Sequence, residues 1–373
     1  MSRPITLELD LGALNHNVKQ IRKLAPRSKI LAMVKANAYG HGLVPIARAL
    51  ANSVEGFGVS CSEEAIYLRR AGIKQRIVLM EGCFSISELP SLHSYQLDIV
   101  LHNSRQLRFL TQQSFAKPVN VWIKINTGMN RLGFSYQDFP DVWQQCQACP
   151  WINVMCVMTH FASAHKPTEA TTLRQIKQFE QTVKHLAVEK SLANSAAILT
   201  QPNYLADWIR PGLILYGVSP FSNTCGVQHG LRPVMNLKSE IVSVNQLQPG
   251  DSVGYGELWS APDSRRIGVV AIGYGDGYPH RAKNGTPVLV NEKLVELIGQ
   301  VSMDMLTVDL HSQPDAKPGD PVKLWGSGLP VEQLAIRTSM FRYELLCGIN
   351  RGGLIRMHTK ESNDAKNDAK KND

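Results

Sequence analysis

The stretch MVKANAYGHG, residues 33–42, places a single lysine between an apolar run and a group of small and polar residues. Residues 30–34 have the pattern of a buried strand, and the asparagine and glycines that follow are typical of a loop. Lys35 would then stand at a strand end, where partial burial lowers the pKa of an amine and makes it nucleophilic. A lysine whose head group reaches solvent would have no such role, and these ten residues leave both interpretations open.

Further polar residues stand at the ends of other apolar runs or begin the segments that follow them. Each also has a structural interpretation, as a surface ion pair, a hydrogen-bonded core residue or a helix cap. Together on one face they would supply cations and a phosphate site built from a helix N-terminus and a glycine amide. These residues are Lys124, Arg131, His160, Ser195, Arg210 and Gly212.

A nucleophilic lysine, a phosphate site and a buried arginine in one place indicate pyridoxal 5'-phosphate. That cofactor requires an amine that can hold it as a Schiff base, donors for its phosphate and a partner for its ring nitrogen. No GxxxxGK[ST] motif and no GxGxxG motif after a strand is present, which argues against a nucleotide or dinucleotide. Cys146 and Cys149 form a lone CxxC without a second pair, so we expect no metal.

The elements that must position these residues alternate between strands and helices. Short apolar runs are separated by amphipathic stretches such as SEEAIYLRRAG, which predicts parallel strands joined by helical crossovers. About eight such units predict a (β/α)8 barrel over residues 1–230, with the active site at the carboxyl ends of the strands. A doubly wound sheet is the alternative. The predicted strands lie at 29–35, 56–60, 76–81, 97–101, 119–126, 153–159, 190–193 and 213–217.

The pattern changes near residue 230. Strand-like runs such as RRIGVVAIGYG and LVELIGQVSMDMLTVDL follow, separated by turns such as QPGD and KPGD and without intervening helices. We therefore predict a mostly antiparallel β domain over residues 231–360, with one late helix near 331–346. The tail at 361–373 is rich in charge and poor in apolar residues, which predicts disorder.

The composition restricts the class of protein. With 373 residues, 43% hydrophobic and 19% charged, the chain has the make-up of a soluble globular protein. The net charge of +9 is scattered without a basic, aromatic-interleaved stripe, so we expect no nucleic-acid partner. No apolar run approaches the roughly 20 residues that span a bilayer, and the first residues lack the apolar stretch of a signal peptide. Seven cysteines without paired spacing fit a reducing compartment, so we expect a cytoplasmic protein with no membrane partner.

Eight stretches of the chain can be compared with known protein families. In chain order they are VKANAYGHG, NTGMNRLGF, THFASA, ANSAA, RPGLILYG, VGYGELW, AIGYGDGYPHR and GQVSMDM. They resemble the motifs of the alanine racemases, in the order and spacing of that family, and the resemblance covers the chain apart from its C-terminal tail. It implies a barrel followed by a β domain, a head-to-tail homodimer with shared active sites, pyridoxal 5'-phosphate, and alanine as substrate. D-alanine for cell-wall peptidoglycan would be the product.

Several positions in the first half of the chain match family residues that bind the cofactor. By this resemblance, Lys35 carries the cofactor and acts as one of two bases, the one that serves D-alanine. Tyr39, Ser195 and the amides of Gly212 and Leu213 match the phosphate contacts.

Four further positions match residues around the cofactor ring. Arg210 matches the arginine that faces the ring nitrogen, with His160 in the same network. Arg131 matches the arginine that contacts the phenolic oxygen of the cofactor and the carboxylate of the substrate. Lys124 matches a lysine that is often carbamylated, and the resulting negative charge would hold Arg131 in place.

The β domain would complete the active site of the partner subunit. By the resemblance, Tyr255 is the second base, which serves L-alanine. Tyr274, Met303 and Asp304 match residues that narrow the access path and shape the substrate pocket.

Two positions depart from the family pattern. Asn126 stands where an aspartate is common, and Asn350 stands where some members have a phosphate-binding tyrosine. Three other functions remain open: a racemase for serine, lysine or many amino acids, a non-catalytic pyridoxal phosphate carrier, and a decarboxylase. The carriers lack the β domain, and the decarboxylases need a cysteine base that the matching stretches do not contain.

Overall fold

The computed structural model describes residues 3–115, 117–166, 170–349 and 356–360. The described residues form two compact units. The barrel unit comprises residues 18–38 and 42–215, and the sheet unit comprises residues up to 17, 39–41 and those from 216 onward. Asn350 and the tail at 361–373 lie outside the described residues.

The barrel unit is a closed barrel of eight parallel strands, and this confirms the predicted fold class. Each strand pairs with the next along the chain, and the last strand pairs with the first. Leu31, Val100, Trp122 and Met158 belong to its buried apolar cluster. The strands are β2 (Lys29–Met33), β3 (Gly56–Val59), β4 (Arg76–Leu79), β5 (Asp98–Leu101), β6 (Val119–Lys124), β7 (Ile152–Met158), β8 (Glu189–Asn194) and β9 (Trp208–Arg210); the chain's first strand, β1 (Thr6–Asp10), lies in the sheet unit.

The prediction of the eighth barrel strand at 213–217 is wrong. That strand is β9, and Leu213–Tyr216 form a 3-10 turn. Pro211 has no backbone N–H to give to a strand ladder, so it ends the strand directly after Arg210. Arg210 therefore lies at the carboxyl end of a barrel strand, and not at the beginning of one.

The helices between these strands are amphipathic and short. Between Lys35 and Tyr39 the chain makes one left-handed turn in place of an ordinary helix. The helical elements up to residue 200 are α1 (Leu11–Leu24), the left-handed turn α2 (Lys35–Tyr39), α3 (Leu43–Leu50), α4 (Ser62–Arg70), α5 (Leu89–Ser94), α6 (Ser104–Thr111), α7 (Phe139–Ala148), α8 (Thr171–Val183) and α9 (Ser195–Thr200).

The sheet unit contains one eight-stranded sheet, antiparallel apart from the parallel pair of its first and last strands. The long strand β10 pairs with three others, and two of these pairings each contain a register shift. The remaining strands are β10 (Met235–Leu247), β11 (Arg265–Val270), β12 (Thr286–Val290), β13 (Lys293–Ile298), β14 (Leu306–Asp309), β15 (Pro321–Trp325) and β16 (Arg356–Lys360).

Three features differ from the sequence prediction. The sheet unit resumes at residue 216, whereas the predicted boundary follows residue 230. Residues before 18 were assigned to the barrel, whereas β1 pairs with β10, with Thr6 opposite Lys238. The late helix near 331–346 is two helices, α10 (Val331–Thr338) and α11 (Arg342–Gly348). Ser339 between them adopts a left-handed conformation with φ 54°, which ends α10. Among the described residues, no helix combines the length and apolarity needed to cross a membrane.

Candidate active site

Lys35 begins the left-handed turn that follows the strand β2. Ala36, Asn37 and Ala38 have φ angles of 53°, 54° and 54°, and Tyr39 has a φ of 53°. A left-handed helical conformation costs an L-residue roughly 1–2 kcal/mol. Four such residues in succession persist only where surrounding contacts hold them, and backbone strain of this kind concentrates at functional sites.

The chain on either side of the turn supplies some of these contacts. The Ala38 amide donates to the carbonyl of Val34 at 2.7 Å, which closes the turn onto the strand end. The side chain of Asn37 accepts a hydrogen bond from the Leu43 amide at 2.8 Å, and its carbonyl accepts one from Gly42 at 2.9 Å. Asn37 therefore ties the turn to the start of α3.

Lys124 is the last residue of β6, and only 6% of its surface is exposed. Burial, and after it the positive charges of Arg210, Arg131 and Lys35, lower the pKa of its amine to about 7. Glu81 acts weakly in the opposite direction. At neutral pH a large fraction of this amine is therefore uncharged and nucleophilic.

Arg210 is buried at the end of β9, and the acceptors of its hydrogen bonds among the described residues are uncharged. Its Nη1 donates to Ser191 Oγ at 2.6 Å, and its Nη2 donates to the carbonyls of Thr159 at 2.7 Å and Leu192 at 3.2 Å. In the part of the chain that the structure describes, no carboxylate pairs with it. Burial lowers its pKa to about 10, so the guanidinium still carries its charge at neutral pH.

His160 lies next to this guanidinium, with its Nδ1 at 3.3 Å from Arg210 Nη2. Because a guanidinium only donates, Nδ1 must accept, and the imidazole proton is on Nε2. Burial, together with the charges of Arg210, Lys124, Arg131 and Lys35, holds the pKa of His160 well below its usual range. The predicted Arg210–His160 pair is thus present and contains a neutral histidine.

Arg131 lies in a loop that closes back onto β6. The amide of Phe134 donates to the carbonyl of Lys124 at 2.9 Å, and the amide of Asn126 donates to the carbonyl of Phe134 at 2.8 Å. Gly133 has φ 121°, and a Cβ there would lie 2.7 Å from the Asn126 nitrogen, so only glycine fits. This closure keeps the exposed Arg131 near the strand end.

The side chain of Asn126 has a role in the same loop. Its Oδ1 accepts hydrogen bonds from the amides of Gly128 and Asn130, both at 3.0 Å. Its Nδ2 donates to Asn130 Oδ1 at 3.0 Å. An aspartate could accept the same two backbone bonds, so the departure from the family pattern preserves the shape of the loop and removes a negative charge from the vicinity of Lys124.

Two of the predicted phosphate contacts lie side by side. Ser195 is the first residue of α9, and its Oγ accepts a hydrogen bond from the Gly212 amide at 2.8 Å. Asn194 caps the helix, because its Oδ1 accepts from the Ala197 amide at 3.1 Å. Leu213 follows Gly212 and is buried.

A buried polar network supports the strand ends, and the sequence analysis did not identify it. Gln175 of α8 is fully buried, and its Nε2 donates to the His160 carbonyl at 3.1 Å and to Thr127 Oγ1 at 3.2 Å. Thr127 Oγ1 lies 2.7 Å from Thr159 Oγ1. The signal in the sequence was a glutamine on the apolar face of α8, beside Ile176.

In the sheet unit, the ring of Tyr39 packs against two other tyrosines. Its ring centroid lies 5.1 Å from that of Tyr216 and 5.7 Å from that of Tyr343. Burial raises the pKa of Tyr39 above its usual range, so the hydroxyl stays protonated and can donate. A Cβ on the adjacent Gly40 would lie 2.1 Å from the Leu346 carbonyl oxygen, which explains the glycine there.

The other predicted residues of the sheet unit lie at its surface. Tyr255 is 73% exposed, Tyr274 is 42% exposed and Met303 is 52% exposed. The loops of Tyr274 and Met303 are bound to each other, because the amide after Tyr274 donates to the Met303 carbonyl at 2.8 Å. Asp304 accepts a hydrogen bond from Arg3 Nη1 at 2.9 Å.

Family models identify both parts of the chain. A model described as alanine racemase, N-terminal domain, matches residues 9–220, and one described as alanine racemase, C-terminal domain, matches residues 234–356. The chain belongs to the alanine racemase family. This membership confirms the resemblance of the motifs and, at the level of the family, the prediction of a racemase, which is an isomerase.

Individual alanine racemases are similar over nearly the whole chain. The one from Shewanella loihica is 48% identical over 340 residues, which is 91% of this chain and 95% of that relative. The one from Coxiella burnetii is 45% identical over 352 residues, 93% of this chain and 96% of that relative. The crystal structure of biosynthetic alanine racemase from Pseudomonas aeruginosa has a TM-score of 0.93 and 39% identity, and the match covers 96% of this chain and 100% of that one.

The lowered pKa of Lys124 predicts how stability changes with pH. The amine has a pKa of about 7 in the folded chain, against about 10.4 for a free lysine. Between these values the unfolded chain binds more protons, so the free energy of unfolding rises with pH by up to about 1.4 kcal/mol per unit from this group. Lys124→Met should abolish that contribution, measured as urea-unfolding midpoints from pH 7 to pH 10.

The exposed Lys117, replaced in the same way, serves as the control. Between pH 7 and pH 10, we expect the urea midpoint of the parent chain to rise relative to the midpoint of Lys124→Met. The difference between the midpoints of the parent chain and Lys117→Met should stay constant over the same range. If the difference in midpoint between the parent chain and Lys124→Met does not change with pH, the burial of the Lys124 amine is contradicted.

Proposed function

We propose that this chain interconverts L-alanine and D-alanine with pyridoxal 5'-phosphate held on Lys35. The observation that carries the proposal is the group of cations at the carboxyl ends of the barrel strands. The group consists of Lys35, Lys124, Arg131 and Arg210. Their charges help to lower the pKa of His160, and those of the other three also lower the pKa of Lys124. In the proposed role, the D-alanine serves cell-wall peptidoglycan synthesis in the cytoplasm.

The chemistry of these residues fits the cofactor. These basic side chains have little opposing charge near them, and the cofactor brings two anionic groups, a phosphate and a phenolic oxygen. Ser195 and Gly212, already within hydrogen-bond distance of each other, would bind the phosphate together with Leu213 and Tyr39. Arg131, which is exposed, would bind the phenolic oxygen and the substrate carboxylate.

When bound, the cofactor draws electrons from the substrate Cα and so acidifies its proton. Arg210 would donate to the ring nitrogen. Its guanidinium keeps its proton, because its acceptors are neutral oxygens and the Nδ1 of a neutral histidine. A ring nitrogen that accepts a hydrogen bond without being protonated is a weaker electron sink, and this favours return of the proton to Cα over transamination.

Racemisation also needs a proton acceptor on each face of Cα. Lys35 would remove the Cα proton of D-alanine, and Tyr255 of the partner subunit would then donate a proton to the other face. In the reverse reaction, Tyr255 of the partner subunit would remove the Cα proton of L-alanine and Lys35 would donate one. Nearby cations stabilise a phenolate, and the barrel unit supplies such cations. Lys124 is proposed as a carbamylated lysine, for which its uncharged amine is suited, and the modified side chain would hold Arg131.

A homodimer is part of the proposal. The exposed surfaces of Tyr255, Tyr274 and Met303 are large for aromatic and apolar side chains, and contact with a second copy would cover them. The access path to the neighbouring active site would then be narrowed by Tyr274, Met303 and Asp304. Each active site would have its cofactor on one subunit and its second base, Tyr255, on the other.

The first test is racemisation of L-alanine by the chain with and without added pyridoxal 5'-phosphate. We expect D-alanine to form only with the cofactor, and borohydride reduction followed by peptide mapping to place the cofactor on Lys35. Lys35→Ala should lose both the label and the activity, whereas replacement of the exposed Lys117 by alanine should change neither. A label on another lysine, or a yellow protein that does not convert alanine, would contradict the proposal and favour a carrier.

The second test addresses the shared active site. Lys35→Ala and Tyr255→Ala should each be nearly inactive, since loss of a general base commonly costs about 10²–10⁴-fold. Mixing them under conditions of verified subunit exchange should restore activity, because a heterodimer would contain one site with both bases. If mixed chains stay inactive, both bases belong to one subunit and the proposed assembly is wrong.

A further inference from the structure

Glu64 connects two loops at the carboxyl end of the barrel. It lies in the first turn of α4, and one of its carboxylate oxygens, Oε1, accepts from the Ala36 amide at 2.7 Å and from the Asn37 amide at 3.4 Å. The other oxygen accepts from the amide and hydroxyl of Ser60, at 2.9 and 3.0 Å. Ala36 and Asn37 follow β2 and Ser60 follows β3, and these strands are neighbours in the barrel.

The amides that Glu64 binds belong to the left-handed turn. Ala36 and Asn37 are exposed and adopt φ angles of 53° and 54°. Packing therefore does little to keep them in that conformation, and hydrogen bonds must do more. A carboxylate makes stronger hydrogen bonds to amides than a neutral acceptor does. Glu64 thus selects the left-handed turn over a relaxed backbone that would aim these amides elsewhere.

We propose that Glu64 is the positioning residue of Lys35. By fixing the two residues that follow Lys35 to the end of the neighbouring strand, Glu64 determines where the amine reaches. The inference rests on the proposed function, since the amine matters only if it carries the cofactor. Glu64 itself touches neither cofactor nor substrate in this account.

The neighbouring Glu63 provides a matched control. It has the same charge and lies in the same turn of α4, and it is exposed. Its carboxylate accepts hydrogen bonds from the Ser62 hydroxyl at 3.5 Å and from the Cys61 thiol. In the described part of the chain it makes no hydrogen bond to the turn at 36–37 or to Ser60. If Glu64 acted only through its charge at the start of α4, replacing either glutamate should slow cofactor attachment equally. If it acts by holding the turn, only replacement of Glu64 should slow attachment.

The experiment measures the attachment of pyridoxal 5'-phosphate to the full-length chain after the cofactor has been removed. The rate is followed by the visible absorbance of the bound cofactor, and the attached lysine is mapped after borohydride reduction. Glu64→Ala should slow attachment to Lys35 by roughly ten- to a hundredfold, as expected for the loss of hydrogen bonds to a charged group. It should also shift the pH dependence of the absorbance, whereas Glu63→Gln should match the parent chain.

Glu64→Gln keeps one oxygen for the Ala36 amide but turns an NH2 group towards the Ser60 amide. We expect its attachment rate to lie between those of the parent chain and Glu64→Ala, and this variant also serves if Glu64→Ala does not fold. Attachment within about twofold of the parent rate in Glu64→Gln, with an unchanged pH profile, would overturn the inference, as would equal slowing in Glu63→Gln. A parent chain that takes up no label on Lys35 would instead overturn the proposed function.

Discussion

The barrel unit is organised around basic side chains that, among the described residues, form no salt bridge with a carboxylate. Arg210 is buried, and the acceptors of its hydrogen bonds among the described residues are neutral. Burial, together with the charges of the neighbouring basic residues, lowers the pKa of Lys124 to about 7 and holds that of His160 well below its usual range. Such an arrangement is unfavourable by itself, because like charges repel and burial removes their hydration. A bound anion would stabilise this arrangement. The proposed cofactor supplies two anionic groups, its phosphate and its phenolic oxygen, and the substrate supplies a carboxylate.

The backbone at the strand ends is as specialised as the charges. Lys35 leads into four successive left-handed residues, and Arg131 lies in a loop that only a glycine at position 133 allows to close. Polar side chains that take no part in the proposed chemistry hold these segments. Asn126 closes the loop of Arg131, Gln175 joins Thr127 to the His160 carbonyl, and Glu64 holds the turn after Lys35. The reactive residues thus depend on a layer of neutral and acidic side chains that hydrogen-bond the segments around them.

Much of this could be predicted from the sequence. Alternation of apolar runs and amphipathic stretches predicted the barrel, and the order of the motifs predicted the family. The last barrel strand was misplaced because Trp208–Arg210 is only three residues long, whereas the apolar run after Pro211-Gly212 is longer and forms a turn. The roles of Glu64 and Gln175 depend on contacts between segments distant in the chain, such as the 2.7 Å bond from Ala36 to Glu64, and no local pattern contains that information.

The most direct test of the account measures protons taken up when an anion enters the barrel site. The probe is 4'-deoxypyridoxine 5'-phosphate, which has the phosphate and phenolic oxygen of the cofactor but no aldehyde to react with Lys35. Titration calorimetry at pH 8 in buffers of different ionisation enthalpy gives the number of protons bound. For the cofactor-free parent chain prepared without carbon dioxide, so that Lys124 carries no carbamate, we expect net uptake, because the anion raises the depressed pKa of the Lys124 amine. We expect much less uptake by Lys124→Met. Binding without proton uptake, or uptake that is unchanged in Lys124→Met, would contradict the account.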